Sequence, residues 1–468
     1  MQDGAGTVSG PDRTGSCLSD LVHWQTSCCL SSARYNCRRC HTGVLSSFIM
    51  RTPMCRETSQ DMLNEIRAIE SCISVTSAEA ATHPEVRAEI THYLQAVDPK
   101  SILLDLGQTC VAEMDALRRE LWTGDAFSKT CPFPPPPEPT FRFVDLFAGI
   151  GGFRIALQSL GGRCVFSSEW DKAAQKTYFN NFAEVPFGDI RQFTDDSVSD
   201  DLLANMIPDH DVLAAGFPCQ PFSRAGVSAR RSLGQMDGFA CEAQGTLFFD
   251  AVRIASVKRP AVLLLENVKN LAGHDGGRTF QIIRQTIEED LGYSFHAGLL
   301  DARTVVPQKR QRYFMVCFRD PVGEFDFPDL TGPALPLRSI LEKRVDDSFG
   351  ISEALWSGHK SRTQRNLDRG VGFTALEADL DQPANTLVAR YGKDGKECLV
   401  PRRGKTPRML TPRECARLQG FPESFLLPDH RAPAYRQFGN SVPVPVVSLV
   451  ARSALESWTQ SLAEQGGA

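Results

Sequence analysis

Beyond residue 140, short apolar runs alternate with longer segments of helical periodicity, and this alternation leaves few folds open to the chain. Alternating strand and helix patterns are the signature of an α/β sheet with helices packed on its faces. The alternation lapses near Asp320 into Pro- and Gly-rich sequence that continues to about Arg408. The six predicted strands are Phe141–Phe147, Arg163–Ser168, Val212–Ala215, Ala261–Glu266, Ser294–Leu300 and Arg312–Cys317.

A proline-rich segment, Pro132 to Pro139, marks the clearest boundary in the chain. Consecutive prolines favour an extended polyproline conformation, so we interpret residues 131–140 as a semi-rigid linker. Residues 56–130 have helical periodicity and predict a helical extension, either a packing cap or a small helix-turn-helix. Residues 1–55 are polar and have no sustained period, which favours disorder or a misassigned start of the chain.

The part after the linker divides by pattern into three predicted regions. An α/β domain covers 141–320, a smaller irregular domain covers 321–408, and a C-terminal segment over 409–460 packs back onto the first domain. Between residues 387 and 413 there are eight basic residues and two acidic ones, although the whole chain has a net charge of −5. We favour a surface laid against phosphates over a merely solvated loop, because this window lacks helical periodicity.

Composition is typical of a soluble globular protein, with 42% hydrophobic and 23% charged residues. The sequence has neither an apolar run of roughly 20 residues nor the pattern of a signal peptide. We therefore expect a cytoplasmic protein whose 15 cysteines are thiols. Cys37 and Cys40 have the spacing of a haem or zinc site, but they lack a suitable second pair, so we expect no metal.

A glycine-rich turn follows the first predicted strand, in the run from Phe143 to Phe153. Such glycines let the backbone approach a ligand closely and expose amides at the start of a helix. Glu169 ends the next strand, where a carboxylate can bind ribose hydroxyls, and Trp170 offers a flat face for an adenine. Asp189 follows after the length of a helix. Without a full dinucleotide fingerprint, the pattern favours a mononucleoside-like cofactor over NAD.

Cys219 lies between two prolines, Pro218 and Pro221, just after an apolar run that predicts a buried strand. The prolines restrict the backbone, and strand ends are where open α/β sheets place their chemistry, so we interpret Cys219 as a nucleophile. Glu266 ends another apolar strand. Burial there favours its protonated form, which makes it an acid or a donor to a ring nitrogen; a helix-capping carboxylate is the alternative.

Three polar side chains, Gln308, Arg310 and Arg312, alternate before a predicted strand and are expected to share one face. Two aligned guanidinium groups are costly unless they meet carboxylates, phosphates or a polar base edge. Near the C-terminus, Asn440 and Ser441 precede an apolar helical stretch. They are candidates either for ligand contacts or for capping that helix.

Seven motifs occur in an order that is more informative than any one of them. They resemble the ordered motifs of DNA (cytosine-5) methyltransferases, and the resemblance covers about residues 141–455. The long segment after Cys219 and the stretch at 389–397 are similar to the Dcm-type branch of that family. The motifs are DLFAGIGGF, EWD, GFPCQPFS, LLENV, QKRQR, RMLTPRECARLQGFP and YRQFGNSVPVPVV.

The resemblance implies S-adenosyl-L-methionine as the cofactor, and a Rossmann-like mixed sheet of seven strands with the C-terminal helix packed beside the first motif. It also implies that 321–408 is a target-recognition domain. The residues expected to hold the cofactor are Phe147, Gly149, Gly151, Glu169, Trp170, Asp189, Ile190, Pro218, Leu247, Asn440 and Val442.

The implied reaction transfers a methyl group to C5 of a cytosine flipped out of double-stranded DNA. Cys219 would add to C6 and Glu266 would donate to N3. Arg312 would hold O2, with Arg310 and Gln308 supporting it. The sequence does not identify the base that removes the C5 proton.

Such an enzyme is expected to be a monomer that modifies a short, symmetric site with a CC step. A cognate restriction endonuclease is expected to act on the same site without forming a stable complex. RNA methylation is an alternative, although a separate domain at 321–408 favours sequence readout on DNA. A DNA-binding regulator acting through residues 56–130 is a second alternative, but the candidate recognition helix offers mainly Arg118 and Arg119.

Overall fold

The structure, a computed structural model, describes residues 131–218, 247–370 and 374–466. The predicted helical extension, the first 55 residues and Cys219 lie outside the described residues. The strands are β1 Phe141–Leu146, β2 Gly162–Ser168, β3 Val212–Gly216, β4 Val262–Val268, β5 His296–Asp301, β6 Gln308–Lys309, β7 Gln311–Phe318, β8 Ala384–Asn385, β9 Val400–Arg402 and β10 Lys405–Arg408.

Helices separate most of these strands and cover both faces of the sheet. Two further helical segments, the 3₁₀ segment Lys269–Gly277 and the π segment Thr286–Asp290, lie between β4 and β5. The α-helices are α1 Gly152–Ser159, α2 Lys172–Phe182, α3 Arg191–Thr194, α4 Asp200–Met206, α5 Leu247–Lys258, α6 Arg278–Gln285, α7 Glu353–Asp368, α8 Tyr391–Asp394, α9 Pro412–Leu418, α10 Arg431–Asn440 and α11 Val444–Gly466.

The central sheet has the order β2-β1-β3-β4-β7-β5, with β1 to β4 parallel and β7 antiparallel to both of its neighbours. All six strands coincide with the six runs predicted from the alternation of patterns. The mixed α/β fold is therefore confirmed.

The predicted seventh strand is wrong for the residues that the structure describes. Its nearest counterpart is Phe187, which forms a single parallel bridge with Ser168 at the outer edge of β2. Pro186, which precedes Phe187, has no backbone N–H and cannot extend the ladder. The sheet therefore ends at β2 with one added bridge.

The two faces of the sheet bury separate hydrophobic clusters. One cluster joins β1 and β4 to α1 and α11 through residues such as Phe143, Leu157 and Val447. The other packs α4 and α5 against the opposite face through residues such as Leu203 and Ile254. Because α11 packs against α1, the C-terminal helix lies beside the first glycine-rich motif.

The first residues of the predicted linker lie against the α/β domain. The Phe133 ring packs beside Phe182 and Phe425, with ring centroids 5.8 and 6.2 Å away. Gln158 donates hydrogen bonds to the carbonyls of Phe133 and Pro134. A polyproline segment makes no internal hydrogen bonds, so its carbonyls are available to such a side chain.

Residues 321–408 form an irregular region with one long helix, α7, and a short hairpin of β9 and β10. It meets the α/β domain where β8 pairs in parallel with β6. The next element, α9, begins as the sequence predicts: Thr411 and Glu414 form a capping box, and Pro412 occupies the first helical position. No helix in the described part of the chain is long and apolar enough to cross a membrane.

Candidate active site

The ends of β3 and β4 and the start of β7 bring together Glu266, Arg312 and the strand that precedes Cys219. In the parallel β3–β4 pair, Gly216 lies opposite Glu266, and Cys219 follows three residues later, outside the described residues. A Cβ at Gly216 would lie 3.7 Å from Oε2 of Glu266. The strand that leads to the predicted nucleophile therefore ends directly beside the predicted acid.

Glu266 and Arg312 form a buried ion pair across the antiparallel β4–β7 ladder. Arg312 Nε lies 2.9 Å from Glu266 Oε1, and the side chains are only 13% and 9% exposed. Burial raises the pKa of Glu266, while Arg312 and Arg310 oppose that shift. The carboxyl is therefore more easily protonated than an ordinary glutamate, which an acid or hydrogen-bond donor requires.

Asn267 holds the backbone that leads to Cys219, a role that no sequence pattern indicated. Its Nδ2 donates a 2.9 Å hydrogen bond to the carbonyl of Phe217, two residues before Cys219. Its Oδ1 accepts from the backbone N–H of Val268, and the side chain is buried. The available signal was an amide next to Glu266 at the end of an apolar strand, because a buried amide needs partners.

Gln308 and Arg310 are buried and Lys309 between them is exposed, as alternation predicts. The strand breaks between β6 and β7, where the N–H of Arg310 donates to the carbonyl of Gln308. Burial and the charge of Arg312 lower the pKa of Arg310 to about 9, while Glu266 opposes that shift. A face shared with Arg312, and a role of either residue in catalysis, remain predictions.

The side chains of Arg310 and Gln308 bind backbone from distant parts of the chain. Arg310 donates to the carbonyls of Leu387, Gly439 and Ser441. Gln308 accepts from the N–H of Leu387 and donates to the carbonyl of Leu418. The residues next to Arg312 thus tie the 384–390 segment to the C-terminal segment that carries Asn440 and Val442.

At Gly439 the backbone of the C-terminal segment lies very close to the backbone of residues 388–389. A Cβ there would lie 2.3 Å from the carbonyl carbon of Val388 and 2.4 Å from the nitrogen of Ala389. No side chain fits between two backbones at that distance, so the contact requires glycine.

The predicted cofactor turn is held by Glu169. Its Oε2 accepts a 2.8 Å bond from the N–H of Gly149, and its Oε1 accepts a 2.8 Å bond from the N–H of Asp171. Gly149 and Gly151 have φ of +57° and +85°, which glycine adopts without strain. Burial raises the pKa of Glu169, and the hydrogen bonds from Asp171 and Gly149 oppose that shift.

Trp170 presents its ring to solvent beside this turn and is 76% exposed. The large exposed ring lies next to the glycine-rich turn. A base can stack on such a ring, so this arrangement fits a cofactor that carries a nucleoside. Asp189 is engaged by Arg191, whose side-chain hydrogen bond lowers the pKa of Asp189. The side chain of Ile190 is buried in the second hydrophobic cluster, and its carbonyl accepts hydrogen bonds from the N–H of Phe193 and the hydroxyl of Thr194.

The other predicted cofactor residues differ in their exposure. Pro218 and Asn440 are exposed, and Phe147 and Leu247 are half-buried. Val442 is buried against the start of α1, where a Cβ at Gly152 would lie 2.7 Å from its Cγ2. The segment that carries Asn440 and Val442 is therefore brought to the glycine-rich turn by packing between elements far apart in sequence.

A family model for C-5 cytosine-specific DNA methylase matches residues 141–456 of the chain. The Type II methyltransferase M.DsaV of Dactylococcopsis salina is 46% identical over 319 residues, which are 67% of this chain and 86% of that protein. The DNA-cytosine methyltransferase of Escherichia coli is 40% identical over 446 residues, covering 81% of this chain and 94% of that protein. The solved structure of the S. pombe Dnmt2 methyltransferase has a TM-score of 0.51 at 19% identity, covering 68% of this chain and 98% of that one, and shows the fold alone.

Proposed function

The chain belongs to the C-5 cytosine-specific DNA methylase family, and we propose that its converging strand ends methylate C5 of one cytosine in a short duplex DNA sequence. It is an enzyme whose family implies S-adenosyl-L-methionine as methyl donor and DNA as substrate. The observation that carries the proposed mechanism is the buried Glu266–Arg312 pair beside Gly216, three residues before Cys219.

Cytosine C5 is too weakly nucleophilic to take a methyl group unaided, so the protein must first activate the ring. The Cys219 thiolate forms a bond to C6 while the Glu266 carboxyl gives its proton to N3, which prevents charge from building up on the ring. Arg312 donates to O2 from a position fixed by its bond to Glu266. The activated ring carries an enamine whose C5 is the nucleophile.

The bound cofactor supplies an electrophilic methyl group on a sulfonium centre. After C5 is methylated, a base removes the C5 proton and the electron pair of that bond expels the Cys219 thiolate. N3 returns its proton to the Glu266 carboxylate, so the methylated cytosine and the free enzyme are restored, and the C5 proton is the one released through the base. No residue is assigned to this base.

The cofactor would be held at the turn between β1 and α1. The indole of Trp170 would stack on the adenine, and Glu169 keeps the turn open through its bond to the Gly149 N–H. Asp189 and the backbone of Ile190 would lie along the adenine edge. Phe147, Gly151, Pro218, Leu247, Asn440 and Val442 would line the remaining surface.

Residues 321–408 would read the DNA sequence, since base readout needs a surface separate from the chemistry. The target base must leave the duplex, because a thiolate cannot reach C6 within the stack. Relatives at 44% and 46% identity are named Type II methyltransferases, and we infer the same restriction-modification setting for this chain. A cognate endonuclease would share the site without a stable complex, and the enzyme would act as a monomer.

A mechanism-based trap tests the assignment of Cys219. Duplex DNA carrying 5-fluorocytosine should form a covalent adduct with the wild-type chain in the presence of cofactor, because fluorine at C5 cannot leave as a proton. Cys219→Ser should form none, whereas the matched control Cys131→Ser should form it normally. Adduct formation by Cys219→Ser would refute the nucleophile, and its absence from the wild type would refute the mechanism.

A further inference from the structure

An open cleft of about 630 Å³ adjoins the proposed active site and has no part in the mechanism above. Its floor is the β6–β8 pair, where Lys309 lies opposite Asn385 and Thr386 donates a 2.6 Å hydrogen bond to the carbonyl of Lys309. We call it the β6–β8 cleft. Lys309 lies three residues before Arg312, so the cleft opens next to the site where the target base would be held.

The walls of the β6–β8 cleft carry three cations, Lys309, Arg390 and Lys396. Lys309 and Arg390 are exposed, and Lys396 is half-buried. Cations arranged along an open cleft attract the phosphates of nucleic acid without reading its sequence. This surface therefore suits DNA that continues away from a flipped base.

Glu397 is the exception in this basic cleft. The residue is only 6% exposed, and among the described residues its Oε2 has no hydrogen-bond partner. Its Oε1 lies 4.0 Å from Arg390 Nε, which is too far for a hydrogen bond. A buried acceptor without a partner is unfavourable, so its presence on the wall of a cleft indicates a ligand that donates to it.

The backbone around Glu397 is held on its C-terminal side. The N–H of Cys398 donates to the carbonyl of Gly395, and the carbonyl of Cys398 accepts a 2.6 Å bond from the Tyr391 hydroxyl. Burial raises the pKa of Glu397, while a hydrogen bond from its own backbone N–H and the charges of Lys396 and Arg390 oppose that shift. In either protonation state the side chain keeps an acceptor oxygen.

We propose that Glu397 is a specificity-determining residue that accepts a hydrogen bond from the exocyclic amino group of a cytosine or adenine in the recognition sequence. This inference rests on the proposed function. In the major groove, only cytosine N4 and adenine N6 present an amino donor, whereas guanine O6 and N7 and thymine O4 are acceptors. The Glu397 carboxylate accepts a hydrogen bond from either amino group and repels the acceptor atoms of guanine and thymine.

The test compares methylation motifs. Unmethylated genomic DNA is treated with the full chain, and bisulfite sequencing gives the sequence preference at each position. At one cytosine or adenine position other than the target, Glu397→Met removes both acceptor oxygens at similar side-chain size and should relax the preference by about tenfold or more, the discrimination that one good base contact supplies. The matched control Glu377→Met makes the same substitution at an exposed residue on a neighbouring segment, bridged to Leu399, and should leave the motif unchanged.

Amine-free DNA tests the same contact without depending on how the variant folds. Replacing the assigned base by 2-pyrimidinone or purine should weaken wild-type binding about tenfold in a gel shift, and should not weaken binding by Glu397→Met further. Unchanged wild-type binding to the amine-free duplex would overturn the inference. A Glu397→Met motif identical to that of the wild type, with a uniformly lower rate, would also overturn it. If the wild-type chain methylates no DNA, the proposed function itself fails, which is a different result.

Discussion

Replacing Trp170 by Ala tests the cofactor site because the side chain is solvent-exposed while its backbone is fixed. The side chain is 76% exposed, so its truncation removes little buried area. Glu169 accepts from the N–H of Asp171, and Asp171 caps α2, so the chain on the C-terminal side of Trp170 is held in place. The free energy of unfolding should therefore change by only about 0.5 kcal/mol.

Loss of the stacking face should instead weaken binding of the cofactor. Stacking of a base on an aromatic side chain contributes about 1–3 kcal/mol. Since about 1.4 kcal/mol corresponds to a tenfold change in a dissociation constant, the Kd for S-adenosyl-L-methionine should rise about 5- to 150-fold. Isothermal titration calorimetry measures this Kd, and denaturant unfolding of the same preparations measures stability.

Two controls separate stacking from general effects of the substitution. Trp170→Phe keeps an aromatic face and should bind the cofactor within about threefold of the wild type. Leu376→Ala removes another exposed apolar side chain, in the 321–408 region, and should change neither quantity. A wild-type Kd for Trp170→Ala would refute the stacking argument.

Two further predictions concern buried groups. Arg310→Lys should lower the free energy of unfolding by about 2–4 kcal/mol and raise KM for both cofactor and DNA. The reason is that one ammonium cannot satisfy the carbonyls of Leu387, Gly439 and Ser441 together. Unchanged denaturant midpoints and KM values would contradict this prediction. Burial lowers the pKa of His210 to about 4, so the unfolded chain takes up its proton first as pH falls. The free energy of unfolding should therefore fall by about 2 kcal/mol from about pH 7 to about pH 5. Urea unfolding measures this loss, and His210→Gln should abolish it. Equal pH dependence in the two proteins would exclude His210 as the cause.

Local sequence patterns were sufficient to predict the sheet and several helix starts. The six strands were found because buried strands are short apolar runs, and α9 was found because its capping box lies within four consecutive residues. The seventh strand came from the resemblance alone. It is absent from the described residues, where Pro186 cannot donate to the ladder.

The sequence also predicted which residue types would meet at the strand ends, but not all of their partners. Glu266 and Arg312 were expected near each other, and strand register sets their 2.9 Å contact. Arg310 was expected to support Arg312, and its guanidinium donates to carbonyls 77, 129 and 131 residues away, which the sequence did not indicate. Contacts over such separations have no local signature in a sequence.

The nature of the chemistry was therefore determined by the sequence, since Cys219, Glu266, Arg312 and the glycine-rich turn occur in motifs that are each continuous along the chain. The tertiary structure decided which backbones those motifs hold together. Asn267 fixes the approach to Cys219, Gly439 admits the 388–389 backbone, and within the described part of the chain Oε2 of Glu397 has no hydrogen-bond partner. Each of these depends on packing between distant segments, and burial, close approach and unmet hydrogen bonds exist only once the chain has folded.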